Sequence, residues 1–546
     1  MILPQGKALH RLVIAAWLVA LALAVLVPVY SDEVGWRLQE RAGIDGFDKL
    51  YSEQCGSTTL ARPVWFMWPV RWYSAFFNLA APDPLWLRLS GVAYALVWAG
   101  LLLWLIAAMI PDRARRATVN TLTIGLLGLG TLPLQLVWSR PEQPILLAAT
   151  AAMLIAWQGW QSGQAAAPSR WQSARWHGPL RLAAIPALAA IALSYHFKAL
   201  VLIPLFATCL LACDRQSRTR PLRLLSVPLL ALLAWQAASY WFARLACPGD
   251  PVLAAQHARQ SLILGHQSPL TTLLALLRNY NLPHYITLAA PDITPMSNWL
   301  RPHLVSKAQQ IIWSVAMILL WLAGFVAAAR AGIAAGKAAW RRRALDLRLV
   351  FAIMLFGAAS VYCVGQTVRN SYEAAFVLPL LALAYACALS ATQAAPPRNT
   401  ARLTGWAMLL SALLVGGIYG PSLVQAARQP GPVPGQPLSV SVADYASARA
   451  DILATARLCG LGPQSPRLLL DDATYFALMR SPQPDHQIAV LDPKWNGTVG
   501  ADPLAYLRAN HASGMVLACQ DLPPALRRKA HAHGAYCCMS GLDWAP

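Results

Sequence analysis

Long apolar runs punctuated by short polar turns set the pattern of this chain. Uncharged apolar stretches of roughly 17–25 residues are long enough to cross a bilayer as helices. Such runs occupy Leu12–Tyr30, Leu85–Ile110, Val119–Val137, Pro144–Trp160, Leu180–Tyr195 and Ala199–Cys213. They continue at Leu222–Phe242, Ala308–Ala329, Leu347–Val364, Ala374–Leu389 and Leu403–Tyr419, predicting about eleven spans in all. Leu180–Tyr195 and Ala199–Cys213 are short, and together suit a broken or tightly turned pair.

Three longer polar pieces interrupt this pattern. A first loop, residues 31–84, is rich in Trp, Tyr and Pro; its stretch Arg62–Pro69 is aromatic and suited to the membrane interface. A second, residues 248–305, carries His257, His266, Tyr280, His284, Tyr285 and His303, without ligand-type spacing. The third is a tail. A proline-rich linker, residues 426–437, separates it from the last span and should be extended and semi-rigid. Residues 438–546 then alternate strand-like runs (Arg467–Leu470, Ile488–Leu491, Gly514–Ala518, Ala535–Cys538) with helical ones (Ala473–Arg480, Pro503–Asn510, Pro524–His533). That alternation predicts a small α/β domain with a mostly parallel sheet. Asp471-Asp472 would lie at a strand's carboxyl end, where a helix N-cap is the better reading than a ligand site, since no glycine-rich phosphate fingerprint accompanies it. The fold class expected is thus an α-helical polytopic membrane protein with a small C-terminal α/β domain.

Composition sharpens the picture. With 57% hydrophobic and 12% charged residues, the chain is not an ordinary soluble globule. The net charge of +21 suggests nucleic acid at first sight, but its placement argues otherwise. Basic residues fall in alternate loops: Lys7/Arg11, Arg113/Arg115/Arg116, Arg170/Arg175, Arg215/Arg218/Arg220, Arg341–Arg343 and Arg398/Arg402. This positive-inside phase puts the N-terminus in the cytoplasm and, with an odd number of spans, the tail outside. The first run is too long for a cleavable signal, and no small-residue cleavage site precedes Asp32-Glu33. Cys55, Cys247, Cys459, Cys519, Cys537 and Cys538 all fall on the outer side, where disulfides are permitted; pairing among the last four is expected, with its connectivity open.

The candidate chemistry collects at the outer ends of the spans. Asp32-Glu33 follows the first run, and ionisable residues near hydrocarbon are functional candidates. Arg62-Pro63 precedes the aromatic segment, and Asp83-Pro84-Leu85-Trp86-Leu87-Arg88-Leu89-Ser90 opens the second span, with Arg88 expected to orient the outer loops. Ser139-Arg140-Pro141-Glu142 precedes the fourth span and Ser194-Tyr195-His196-Phe197-Lys198 fills the next outer turn. Arg369-Asn370-Ser371-Tyr372, then Phe376-Val377-Leu378-Pro379, open the tenth.

In this order the motifs resemble the GT-C superfamily of polytopic glycosyltransferases, in the branch of protein O-mannosyltransferase-like and lipid A aminoarabinose transferase-like enzymes. The resemblance covers roughly Leu12 to Leu389 and leaves the tail out. It departs from the family at Glu142, where an aspartate is usual. It implies transfer of a sugar, with inversion, from a polyprenyl-phosphate donor to an outer acceptor that is a lipid, a polysaccharide or a protein. Asp32 is then the first choice for general base, with Glu33 second and Glu142 a further catalytic acid. Lys198, Arg140, Arg369 and Arg62 would face the donor phosphate, and His196, Tyr280, Tyr285 and Tyr372 the substrate. Asp32 with Glu142 could hold a divalent cation through oxygen ligands. The alanine-rich, lysine-poor composition suggests a bacterial inner membrane, so that outside is the periplasm. Two rival readings remain at this stage, a lipid-linked glycan flippase and a non-catalytic membrane scaffold. Scarcity of mid-span charge counts against the first.

Overall fold

The computed structural model describes residues 6–30, 33–35, 37, 83–162, 177–213, 220–245, 268–286, 305–342, 345–365, 371–392, 397–428, 439–442, 445–482, 484–491 and 502–544. Each of the eleven apolar runs carries helix. They are α1 (Gly6–Ala24), α2 (Pro84–Met109), α3 (Arg113–Leu127), α4 (Glu142–Ser162), α5 (His177–Tyr195), α6 (Ile203–Ala212), α7 (Arg220–Leu245), α8 (Lys307–Arg342), α9 (Leu347–Gly365), α10 (Ser371–Ala391) and α11 (Arg398–Ala427). Among the described residues, six helices are by themselves long and apolar enough to cross a membrane: α2, α5, α8, α9, α10 and α11.

Two expected spans depart from a simple rod. Val119–Val137 is not continuous: α3 stops at Gly128, and Gly130 turns with φ +55° while its N–H donates to Ser411 Oγ at 2.6 Å. A short helix, Leu132–Gln135, follows. Left-handed φ is cheap only for glycine, so the break is written into the sequence there. The pair Leu180–Tyr195 and Ala199–Cys213 is a kinked unit, α5 and α6 joined through a 3-10 turn, Phe197–Leu202.

Helix α10 occupies the middle of the bundle, buried along its whole apolar window, while the other five long helices each expose more than half of theirs. Its sequence explains this. It is apolar all round and alanine-rich, so neighbours approach from every side. At its basic-loop end, Arg115 Nη2 donates to the carbonyl of Leu389 at 2.7 Å, satisfying one acceptor of the last turn.

Beyond α11 the tail forms helix α12 (Tyr445–Leu458), helix α13 (Asp472–Leu478) and a five-stranded sheet. The strands are β3 (Leu468–Leu470), β4 (Asp485–His486), β5 (Gly514–Ala518), β6 (His531–His533) and β7 (Tyr536–Ser540), in the order β4-β3-β5-β7-β6. Both β3 pairings are parallel and both β7 pairings antiparallel, so the sheet is mixed, not mostly parallel. Two expected elements change type. Ile488–Leu491 lies in a short helix, Gln487–Leu491, behind the strand β4. Pro524–His533 is helical only to Arg527, because residues 531–533 pair instead with β7 as β6. Asp471 N-caps α13 in a capping box with Thr474. Disulfides join Cys459 to Cys538 and Cys519 to Cys537, whereas the cysteines that stay free among the described residues, Cys209, Cys213, Cys363 and Cys387, are buried in the bundle.

The tail is packed onto the end of the bundle away from its basic loops, called the outer end after the orientation expected from sequence. Strand β1 (Val29–Tyr30), directly after α1, pairs antiparallel with β2 (Ser439–Val440), and Ser441 Oγ donates to Ala426 O at 2.8 Å. Val29, Val34 and Leu87 share one core with Tyr445, Ile452 and Phe476 of the tail. The Arg37 guanidinium lies 5.6 Å from the Phe476 ring centre and 5.8 Å from that of Tyr475, within cation–π range.

Inside the tail, burial and then the charges of Asp471 and Asp472 push the Asp521 carboxyl up to about 8. An acid whose folded pKa exceeds its unfolded one lends stability that is complete below the unfolded value and lost as pH rises through the folded one. The tail should therefore weaken as pH climbs from about 4 to about 8. Replacement Asp521→Asn should leave the melting temperature of the full protein nearly unchanged at about pH 4, and raise it increasingly as pH climbs to about 8. A difference that does not vary with pH would contradict this.

Candidate functional site

The outer end of the bundle holds two adjoining polar assemblies, each buried. The first is built on Arg88, one turn into α2. Asp83 N-caps that helix, accepting the Trp86 N–H at 2.9 Å, with Pro84 in the first turn. Gly91 makes the next contact possible, because a Cβ there would lie 1.8 Å from the carbonyl oxygen of Val137. The turn after α3 therefore sits directly on α2, and Gln143 Nε2 fastens it by donating to Leu136 O at 2.7 Å and Gly91 O at 3.2 Å.

Against this turn Arg88 spends all five of its donors. Nε reaches Val27 O at 2.9 Å, Nη1 reaches Glu33 Oε2 at 3.0 Å and Val137 O at 3.1 Å, and Nη2 reaches Glu33 Oε1 at 2.7 Å and Pro28 O at 2.8 Å. Glu33 Oε2 also accepts the Ser139 N–H at 2.8 Å. Neither side chain has any exposed surface. Glu33 is thus held in a bidentate fork of the strong, shape-specific kind, with both oxygens engaged, and Arg88 joins three segments of chain.

The second assembly starts one residue after Ser139. Glu142, the first residue of α4, faces Arg140, with Arg140 Nε 3.4 Å from Glu142 Oε2, and its other oxygen pairs with Lys198 Nζ. Lys198 Nζ also lies 3.3 Å from Glu373 Oε2 at the start of α10, and Glu373 in turn accepts the hydroxyl of Tyr362 on α9. The Tyr362 and Phe376 rings stand 5.6 and 5.9 Å from the ammonium. His196 sets up the geometry locally: its Nδ1 caps the 3-10 turn by accepting the Lys198 N–H at 3.0 Å. Among the described residues the assembly thus contains two cations and two carboxylates, all largely withdrawn from solvent. A narrow crevice of about 20 Å³ adjoins it, lined by Tyr94, Trp98, Gln135 and Trp138 as well as Arg140 and Glu142. That is room for about one water.

The structure therefore brings together Arg140, Glu142, Lys198 and His196 of the residues singled out from sequence. It places Glu33 beside them, tied to Arg88. Tyr280 and Tyr285 make other contacts: the Tyr280 hydroxyl contacts Ser360 Oγ at 2.6 Å and its ring stacks on Phe356, while Tyr285 packs edge-on against His284. Asp32, Arg62, Arg369 and the side chain of Tyr372 lie outside the described residues. Glu142 alone of the Asp32–Glu142 pair can be judged as a metal ligand, and with two cations on its oxygens it is a poor one. Among the described residues no three His, Cys, Asp or Glu side chains are placed to hold a metal. Glu373 and Tyr362 were missed from sequence. The signal for Glu373 was present, an acid at a span's mouth one residue after Tyr372; Tyr362 carried none.

Comparison with known proteins adds one similarity of fold. No family model matches the chain, and no curated protein matches it in sequence. Among solved structures, the crystal structure of ArnT from Cupriavidus metallidurans bound to undecaprenyl phosphate is similar to it at 12% identity. The match covers 100% of both chains with a TM-score of 0.45.

The Arg88 fork yields a direct test. Breaking a buried, hydrogen-bonded ion pair from one side costs about 3–5 kcal/mol, because the abandoned charge stays buried. Arg88→Met should therefore sharply lower the yield of monodisperse protein and its melting temperature in detergent. Wild-type melting in that variant would show that the outer end does not rest on the fork.

Proposed function

We infer that this chain is an integral membrane glycosyltransferase of the GT-C type, moving a sugar from a polyprenyl-phosphate donor to a periplasmic lipid, polysaccharide or protein acceptor with inversion. The observation that carries the reading is the buried Arg140, Glu142, Lys198 and Glu373 network. It closes one end of an apolar bundle, the end opposite the basic loops. Low-dielectric surroundings make such charges costly to keep and effective on a reacting group. A flippase would need its ionisable side chains along a path through the membrane. The network described here sits at one end.

In this reading the acceptor hydroxyl attacks the anomeric carbon from the face opposite the phosphate. The new C–O bond forms as the bond to the phosphate oxygen breaks, and that oxygen leaves with the electron pair. A carboxylate takes the hydroxyl proton. Glu33 is withdrawn from this role by its fork with Arg88, which leaves Asp32, its neighbour in sequence, as the base, with Glu142 second. Lys198 is the positive pole for the departing phosphate, supported by Arg140, with Arg369 and Arg62 further candidates. An arriving phosphate takes Lys198 away from Glu142 or Glu373, so donor binding and release of a carboxylate are one event. The tail then handles the acceptor side, next to the segment that carries Asp32 and Glu33.

The test is sugar transfer by the full chain in nanodiscs, offered a panel of polyprenyl-phosphate sugars. Asp32→Asn should lower turnover by about 10²–10⁴-fold with donor binding kept. Lys198→Met should lower turnover by about 10²–10³-fold and weaken donor binding as well. Donor binding without turnover by the wild type would favour transport, and absence of both would favour a scaffold.

A further inference from the structure

A groove at the opposite end of the bundle has the shape and charge of a lipid site. It runs along one face of α8, with the end of α10 and the start of α11 as its other wall, and encloses about 520 Å³. On α8 it is lined by Leu319, Leu322 and Val326 and, further towards the basic end of that helix, by Arg330; Leu389 and Thr400 line the other wall. From Leu319 to Arg330 is a rise of about 16 Å along a helix, close to half of a hydrocarbon core of about 30 Å. The groove thus spans one leaflet, apolar towards the bilayer centre and cationic at its edge.

What sets Arg330 apart is its place, since it is the arginine that lines the groove. Two arginines of the same end have structural duties instead: Arg115 caps α10, and Arg348 pairs with Asp346 at 2.8 Å. Arg330 is exposed, and among the described residues it has no ion pair and no hydrogen bond. The surrounding charge is of one sign. Lys337, Arg341 and Arg342 follow on α8, and Arg398 and Arg402 stand on α11. The nearby acids are already engaged, Asp346 by Arg348 and Asp112 as the N-cap of α3. A guanidinium left at the headgroup level, above an apolar furrow one leaflet deep, matches a phosphodiester carrying acyl chains. Basic pockets between membrane helices on the cytoplasmic side bind anionic lipid headgroups in this way.

We propose that the groove between α8 and the α10–α11 corner is a binding site for an anionic phospholipid of the cytoplasmic leaflet, its phosphate on Arg330 and an acyl chain along Leu319, Leu322 and Val326. The site is separate from the outer network and independent of the reaction assigned to it. Its occupant wedges α8 against α10, the central helix of the bundle.

The experiment is native mass spectrometry of the delipidated full-length protein, titrated separately with dioleoyl phosphatidylglycerol, dioleoyl phosphatidylcholine and undecaprenyl phosphate. Phosphatidylglycerol should bind the wild type at least 5-fold more tightly than phosphatidylcholine. Arg330→Gln should erase that preference, and Ala334→Trp, which fills the groove's mouth from an exposed position, should lower binding of both lipids. Arg113→Gln, an exposed arginine of the same end, should behave as wild type. No preference in the wild type, or a preference that survives Arg330→Gln, would overturn the proposal. So would equal loss in Arg113→Gln, which would mean diffuse attraction and no site. Tighter binding of undecaprenyl phosphate than of phosphatidylglycerol, lost in Arg330→Gln, would overturn it in favour of a prenyl-lipid groove.

Discussion

The fork between Arg88 and Glu33 is the contact on which the outer end of the molecule depends. A guanidinium has five donors and no way to neutralise itself, so it can be buried only where every donor finds an acceptor. Here it does, on the carbonyls of Val27, Pro28 and Val137 and on the two oxygens of Glu33. Those acceptors belong to the end of α1, the first loop and the turn before α4, which are distant in sequence. Satisfying Arg88 therefore fixes all three at once. From them the other outer contacts follow: Val29 is one residue past Pro28 and enters the β1–β2 pairing, and Arg140 is one residue past Ser139 and enters the charged network.

Among the described residues the charged network pairs each cation with an acid, and that pairing bears on its chemistry. Arg140 and Lys198 oppose Glu142 and Glu373, with little water to screen them. Each of the two described cations thus already meets a carboxylate, so a further anion at Lys198 would compete with an acid for it, and Lys198 is suited to such an exchange. It is a point charge on a flexible stem, lodged between two acids, whereas a bidentate arginine would have to give up two hydrogen bonds at once.

The helical layout was legible because length and hydropathy suffice to mark a membrane helix. Caps were legible too: Asp471 stands where a strand ends and a helix begins, and its capping box with Thr474 is local chemistry. Errors came where a distant partner decides. Pro524–His533 has a helical start, but pairing with β7 takes residues 531–533 into the sheet. The place of Glu33 could not be read from sequence, since what fixes it is an arginine 55 residues further on. Glu373 stood in plain view at a span's mouth, but its partner did not, since its link to Lys198 exists only once α10 stands beside the 3-10 turn.

The tail was the piece least explained by sequence, and its packing gives it a physical role. Its core is continuous with Val29, Val34 and Leu87, and Arg37 lies across Tyr475 and Phe476. Two residues of β pairing would hold little alone. Burial of apolar side chains outside the membrane, where water supplies a hydrophobic driving force that lipid does not, adds the stronger restraint. The disulfides Cys459–Cys538 and Cys519–Cys537 stiffen this docked unit by fastening β7 to the end of α12 and to the turn after β5. Glu33 is thus held from two sides, by Arg88 from the bundle and by the tail through Val29, Val34 and Arg37. A shift of the tail would be carried along the few residues that join this core to Glu33, and so to the edge of the charged network. On that argument the tail belongs to the mechanics of the outer site, even though none of its described side chains enters the network.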